Sequence, residues 1–114
     1  MSILNYLFGD RSTAQNSTIL DKADYAKAIK ARKIQLVDVR TAREFQAGHI
    51  KGAKNIDLFQ FGSFNAAFEI FDKSKPLYLY CQSGNRSQKA AKKLKAAGFD
   101  EIYDLKGGYS NWIR

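Results

Sequence analysis

The chain has 114 residues, 45% of them hydrophobic and 26% charged, which is room for one core and the composition of a folded globular domain, not of a disordered or fibrous chain. A single cysteine excludes an internal disulfide framework and fits a reducing compartment. Nineteen Lys and Arg against eleven Asp and Glu leave a formal net charge of +8, so anionic substrates and acidic partners are drawn to the surface.

The apolar stretch "ILNYLFG" at 3–9 is far shorter than the roughly 20 residues of a membrane span and has no basic leader. The expectation is a cytoplasmic protein without a membrane partner. "GDRSTAQNST" at 9–18 is polar and lacks apolar periodicity, which predicts an N-terminal arm over 1–17 and one domain over 18–114. A short docking helix is the weaker reading of 3–9.

Asp21 is placed to cap a helix of about 11 residues starting at Lys22, with Ala23, Ala26 and Ile29 on one face. "IQLVDV" at 34–39 is short, mostly apolar and rich in β-branched residues, as in a strand covered on both faces. Thr41 and Glu44 have capping-box spacing, so a short helix follows directly and Gly48 stops it. "GAKNID" predicts another short strand. In "FNAAFEIF", Phe64, Ala67, Phe68 and Phe71 recur at helical spacing, a stripe read as core and not as a ligand-pocket lining.

Pro76 opens the strand "PLYLY", since proline is tolerated at a first strand position. A helix is predicted from Ser87, with Ala90, Ala91, Leu94 and Ala97 inward and Gly98 as its stop. Its lysines Lys89, Lys92, Lys93 and Lys95 read as a solvated polar face, and nucleic acid is not an expected partner. "EIYDL" is a last strand. In "KGGYSNW", Gly107 and Gly108 permit a tight turn that brings the final short helix back toward the cysteine, and Trp112 closes the core.

Strands alternating with helices predict an α/β fold, a central and mostly parallel sheet with helices on both faces. Ligands in such sheets bind at the carboxyl ends of strands, and Cys81 stands at such an end. Residues 82–86 then form a tight loop whose backbone N–H groups, with the positive end of the next helix, make an anion site around the sulfur. These donors favour thiolate over thiol without a partner base. Gly84 supplies positive φ, and Arg86 adds a permanent cation with a planar fork. A buried structural cysteine is the competing reading. The immediate succession of strand, cysteine, glycine loop, arginine and helix favours chemistry over it.

This loop resembles the active-site loop of the rhodanese superfamily, and the resemblance extends over 18–114. "VDVR", "EF", "GHI" and "GAKNID" are similar to the family's first signature, and "GGYSNW" to its closing one. The resemblance implies a rhodanese-like fold and a sulfurtransferase of the thiosulfate type that needs no cofactor. Cys81 would take the outer sulfur of thiosulfate or of a persulfide, and pass it to cyanide, a thiol or a sulfur-relay protein. Gln82, Ser83, Gly84, Asn85 and Arg86 would bind the donor, Arg86 foremost among the side chains. Asp38, Arg40 and Ser87 would support the site, the first two through a buried ion pair or hydrogen-bond network at the strand end. Four residues separate Cys81 from Arg86, similar to the sulfurtransferase branch and one fewer than in the phosphatase-like branch. A non-catalytic rhodanese-fold interaction module is the alternative, and retention of the cysteine speaks against it. His49, the one histidine, is read as part of a structural turn and not as a base. No metal is expected, because one cysteine and one histidine cannot complete a typical zinc site.

Overall fold

The computed structural model describes residues 17–60 and 62–114. The expected arm, except for Ser17, lies outside the described residues. Among those described, five strands form one sheet: β1 (Thr18–Leu20), β2 (Gln35–Asp38), β3 (Lys54–Asn55), β4 (Leu77–Tyr80) and β5 (Ile102–Leu105). Their spatial order is β1-β5-β4-β2-β3 and every neighbouring pair is parallel. The α/β architecture expected from the alternating pattern is therefore present.

The helices are α1 (Lys22–Ala28), α2 (Ala42–Ala47), α3 (Phe64–Ala67) with a 3-10 turn at Phe68–Ile70, α4 (Asn85–Ala96) and α5 (Gly108–Trp112). Strand periodicity sorts the core into two layers. Leu77 and Leu79 of β4 join Val37, Val39 and Ile102 under Phe64, Phe68, Ala90, Ala91, Leu94 and Phe99. Tyr78 and Tyr80 point the other way, with Leu36 and Leu105, against Tyr25, Ile50, Tyr109 and Trp112. Both faces of β4 are covered, which is why "LYLY" has no polar alternation.

Phe64 and Phe68 of the aromatic stripe belong to the core, with Phe71 packed against it, while Phe64 and Ala67 also line a cavity. Phe64 and Phe68 are buried, and Phe68 packs edge-on against Phe99 at 6.1 Å. The capping box is formed as well, with the Thr41 side chain bonded to the Glu44 amide and the Glu44 carboxylate to the Thr41 amide.

Three elements differ from expectation. Helix α1 has seven residues instead of about eleven, and Tyr25 is its buried residue while Ala23 is exposed. The i−3 bonds from Lys30 and Ala31 tighten its end, and Lys33 at φ 57° turns the chain into β2. Helix α4 starts at Asn85, not Ser87, because Gly84 at φ 109° completes the turn by itself. Strand β1 had no sequence signal of its own; it is held at the sheet edge by parallel pairing of Ile19 with Asp104 and Leu20 with Leu105. Among the described residues no helix is long and apolar enough to cross a membrane.

Candidate active site

Cys81 directly follows β4, at the carboxyl end of the central strand, and its side chain is 1% exposed. Among the described residues one backbone amide and one hydroxyl bond its sulfur. The Gly84 N–H donates to Sγ at 3.0 Å, and Ser87 Oγ lies 3.4 Å away. The loop reaching the helix is thus Gln82–Gly84, and Asn85, Arg86 and Ser87 fall in the first turn of α4, whose positive end faces the sulfur side. Ser83 and Asn85 are exposed at the rim. A thiolate here has a fixed amide donor and a helix dipole.

The floor of the loop is tied to the end of the chain. Tyr109 N–H donates to the Cys81 carbonyl at 2.8 Å, and Ser110 N–H donates to the Gln82 carbonyl at 3.0 Å. The close approach requires glycine: a Cβ on Gly108, which sits at φ 62°, would stand 2.5 Å from the Cys81 carbonyl oxygen. The paired glycines therefore bring α5 against the cysteine loop, and Trp112 packs edge-on against Tyr25 in the second core layer.

Asp38 and Arg40, at the end of β2, form an ion pair at 2.6 Å with side chains 0% and 3% exposed. The remaining guanidinium donors go to the Gly48 carbonyl at 2.7 Å and to Gln82 Oε1 at 2.9 Å, while the cation lies 4.5 Å from the centre of the Tyr109 ring. Gln82 in turn donates to Ser110 Oγ at 2.8 Å. Its side chain is held between two structural partners, Arg40 and Ser110.

Arg86 is paired. Its two terminal nitrogens donate to the two oxygens of Glu44 at 2.7 and 2.8 Å, a bidentate fork. Arg86 foremost, with the Thr41 cap, pulls the Glu44 carboxyl down to about 2. Sequence reading found Glu44 as a helix cap and missed it as the partner of the loop arginine, because the two are 42 positions apart.

A second missed residue is Asp104, in β5, 2% exposed. Its Oδ2 accepts from Ser87 Oγ at 2.9 Å and from Gln88 Nε2 at 2.6 Å, while Oδ1 has no partner among the described residues. Burial raises its carboxyl above the ordinary range, against the lowering effect of Gln88, Ser87 and the Leu105 backbone N–H. A carboxylate inside a short strand, where charge is seldom buried, was the available sequence signal.

His49 is exposed, stacked on Phe45 at 3.6 Å with Nδ1 at 2.8 Å from the Phe45 carbonyl, so it serves the turn after α2. Lys89, Lys92, Lys93 and Lys95 are exposed on α4. A cavity of about 330 Å³ lies between Ala42, Asn55, Ile56, Asp57, Phe64 and Ala67, and no residue from Cys81 to Arg86 lines it. Among the described residues no group of three or more His, Cys, Asp or Glu is arranged to hold a metal ion.

The family model of the rhodanese-like domain matches residues 21–114. The chain is 48% identical over 81 residues to the uncharacterized protein YqhL of Bacillus subtilis, covering 71% of this chain and 62% of that protein's length. It is 39% identical to the thiosulfate sulfurtransferase GlpE of Shewanella oneidensis, covering 73% of this chain and 79% of that one. With GlpE of Pseudomonas aeruginosa it shares 35% identity over 78% of each chain. Among solved structures it is similar to BH2092 of Bacillus halodurans, with a TM-score of 0.73 and 31% identity over 85% of this chain and 72% of that one. A rhodanese-related protein of Thermoplasma volcanium has a TM-score of 0.72 and 30% identity over 84% and 90% of the two chains.

Proposed function

The chain belongs to the rhodanese-like domain family, and from that premise we propose that it is a sulfurtransferase in which Cys81 carries the sulfur. The observation that carries the reading is the buried Sγ at the end of β4, bonded by the Gly84 amide at the start of α4. Relatives named thiosulfate sulfurtransferase support it.

In the first half-reaction the Cys81 thiolate attacks the outer sulfur of thiosulfate. A new S–S bond forms, the donor's S–S bond breaks, and sulfite leaves with the electron pair. In the second, cyanide or a thiolate attacks the outer persulfide sulfur, the S–S bond breaks, and the Cys81 thiolate is regenerated as thiocyanate or an acceptor persulfide departs. The Gly84 amide and the helix dipole hold negative charge on sulfur through both steps. Gln82, Ser83, Gly84 and Asn85 shape the approach, and Arg86 attracts the donor with a fork that it shares with Glu44. Asp38 and Arg40 fix Gln82, and Ser87 supports the sulfur. A persulfide donor, which needs less from Arg86 than dianionic thiosulfate does, belongs to the same reading. The domain is taken as 18–114 with an arm over 1–17, and the setting as the reducing cytoplasm.

Intact-protein mass spectrometry after thiosulfate treatment tests this, with a cyanide chase and Cys81→Ser as control. A gain of one sulfur on the wild type, removed by cyanide and absent from the variant, is expected. No adduct from either thiosulfate or a low-molecular-weight persulfide would overturn the transferase and leave an interaction module. Deleting residues 1–16 should leave the adduct intact.

A further inference from the structure

Ser87 has one hydroxyl hydrogen and three acceptors around it. They are the Gly84 carbonyl at 3.2 Å, Asp104 Oδ2 at 2.9 Å and Cys81 Sγ at 3.4 Å. Asp104 is buried, the side-chain donors that reach it among the described residues are Ser87 and Gln88, the Leu105 backbone N–H also acts on its carboxyl, and its Oδ1 has no hydrogen-bond partner there. Among the described residues no cation is paired with it, and a buried carboxylate with one oxygen lacking a hydrogen bond is costly. A neutral acid is much cheaper in the same place.

We propose that Asp104 is a positioning residue for the sulfur, sharing one proton with Cys81 through the Ser87 hydroxyl. In one arrangement the thiol donates to Ser87 Oγ and Ser87 donates to the Asp104 carboxylate. In the other, the thiol proton has passed to Ser87 Oγ and the former Ser87 hydrogen to Asp104 Oδ2. Asp104 then donates to Ser87 and Ser87 donates to the Cys81 thiolate. One proton has moved in net from Cys81 to Asp104, no heavy atom need be displaced, and the sulfur gains a second donor beside the Gly84 amide. The double anion loses that donor and sets two buried negative charges at the ends of one hydroxyl.

Among the described residues, the other groups facing this pair do not supply the proton near neutrality. Tyr25 on α1 donates its hydroxyl to the Leu79 carbonyl at 2.7 Å, and burial foremost keeps it well above its ordinary range. Arg86 on α4 stays charged, raised by its bond to Glu44. The register neighbours of Asp104, Ile19 on β1 and Leu79 on β4, do not titrate.

The inference rests on the sulfurtransferase reading for its purpose, but its test needs no sulfur transfer. Two titrations are made on the full chain. The first is the pH midpoint of Cys81 alkylation by iodoacetamide in wild type and Asp104→Asn. The second is the carboxyl ¹³C midpoint of Asp104 in wild type and Cys81→Ser. Whichever group of a linked pair ionises second is displaced upward by the first, so removing the partner must lower at least one midpoint. A downward displacement of about one pH unit or more in either titration is expected; agreement of both within about 0.3 unit overturns the linkage. If Asp104→Asn does not fold, the Cys81→Ser arm decides alone. Ser87→Ala should move alkylation to higher pH and Ser87→Thr should restore it; an unmoved Ser87→Ala profile overturns the route through the hydroxyl. Persulfide formation with unmoved midpoints would leave the transferase standing and remove the relay.

Discussion

The Arg86 guanidinium is clasped by the Glu44 carboxylate at 2.7 and 2.8 Å, so the cation at the rim of the cysteine loop is already neutralised by α2. A donor anion bound by Arg86 would have to share or displace that partner. The pair is partly exposed, with side chains 22% and 32% accessible, which limits its contribution to stability but not its control over what Arg86 can bind.

Glu44→Gln keeps a cap acceptor and removes the charge. Steady-state kinetics should show the KM for thiosulfate falling by roughly threefold to tenfold, as expected for an interaction of about 1 kcal/mol set free for the substrate. An unchanged KM means that Arg86 does not touch the donor. Arg86→Ala should raise the KM and lower Tm only slightly; equal damage to both makes Arg86 structural.

The same carboxyl gives a pH signature. Glu44 is depressed from 4.5 to about 2 in the fold, so its contribution is present above the unfolded value and is lost as pH falls from about 4.5 toward 2. After discounting for solvent it amounts to about 1 kcal/mol. Urea midpoints measured across pH 2 to 6 should fall less steeply with acid in Glu44→Gln.

Gly108→Ala tests the tether between α5 and the loop. The added methyl meets the Cys81 and Gln82 backbone at 2.5–2.6 Å, at a φ of 62° that disfavours any side chain. Denaturant unfolding should show a loss of roughly 2–4 kcal/mol, the left-handed cost plus the clash. Cys81 alkylation should change in rate as well, because the carbonyl that α5 holds belongs to Cys81 itself. Loss of stability without any change at Cys81 would show that the loop keeps its shape unaided.

Asp38→Ala leaves Arg40 buried without its counter-ion. Urea unfolding should register a loss of about 3–5 kcal/mol. The expected companion effect is slower persulfide formation in the folded fraction, since Arg40 also holds Gln82. A loss below about 1 kcal/mol would show that water reaches the guanidinium.

Phe68→Ala separates core from ligand pocket. A loss of roughly 3–5 kcal/mol is expected, with alkylation of Cys81 in the folded protein unchanged. A small stability loss with altered donor KM would return the aromatic stripe to the pocket reading.

The sheet was legible because its central strands are covered on both sides and so read as short unbroken apolar runs, as "LYLY" does. The candidate site was legible where its parts are local in the chain: Cys81, Gly84 and Ser87 lie along one loop and the first turn of α4, and the left-handed φ of Gly84 is as the loop required. What escaped lies across the sheet. Glu44 satisfies a local capping rule and therefore raised no question about a distant partner. Asp104 sits in a strand whose alternation hides which face it takes. Strand β1 has three residues, too few for a pattern, and exists because β5 offers it an open edge.

The burial of Cys81 also sets how the protein ages under oxidants. The chain has a single cysteine, so a sulfenic acid formed at Sγ has no resolving thiol within the same molecule to trap it as a disulfide. Rescue must come from outside, to a residue that is 1% exposed. The shelter that slows peroxide on its way in slows the repairing thiol as well, and a second oxidation to the sulfinic acid would be irreversible without a dedicated repair enzyme.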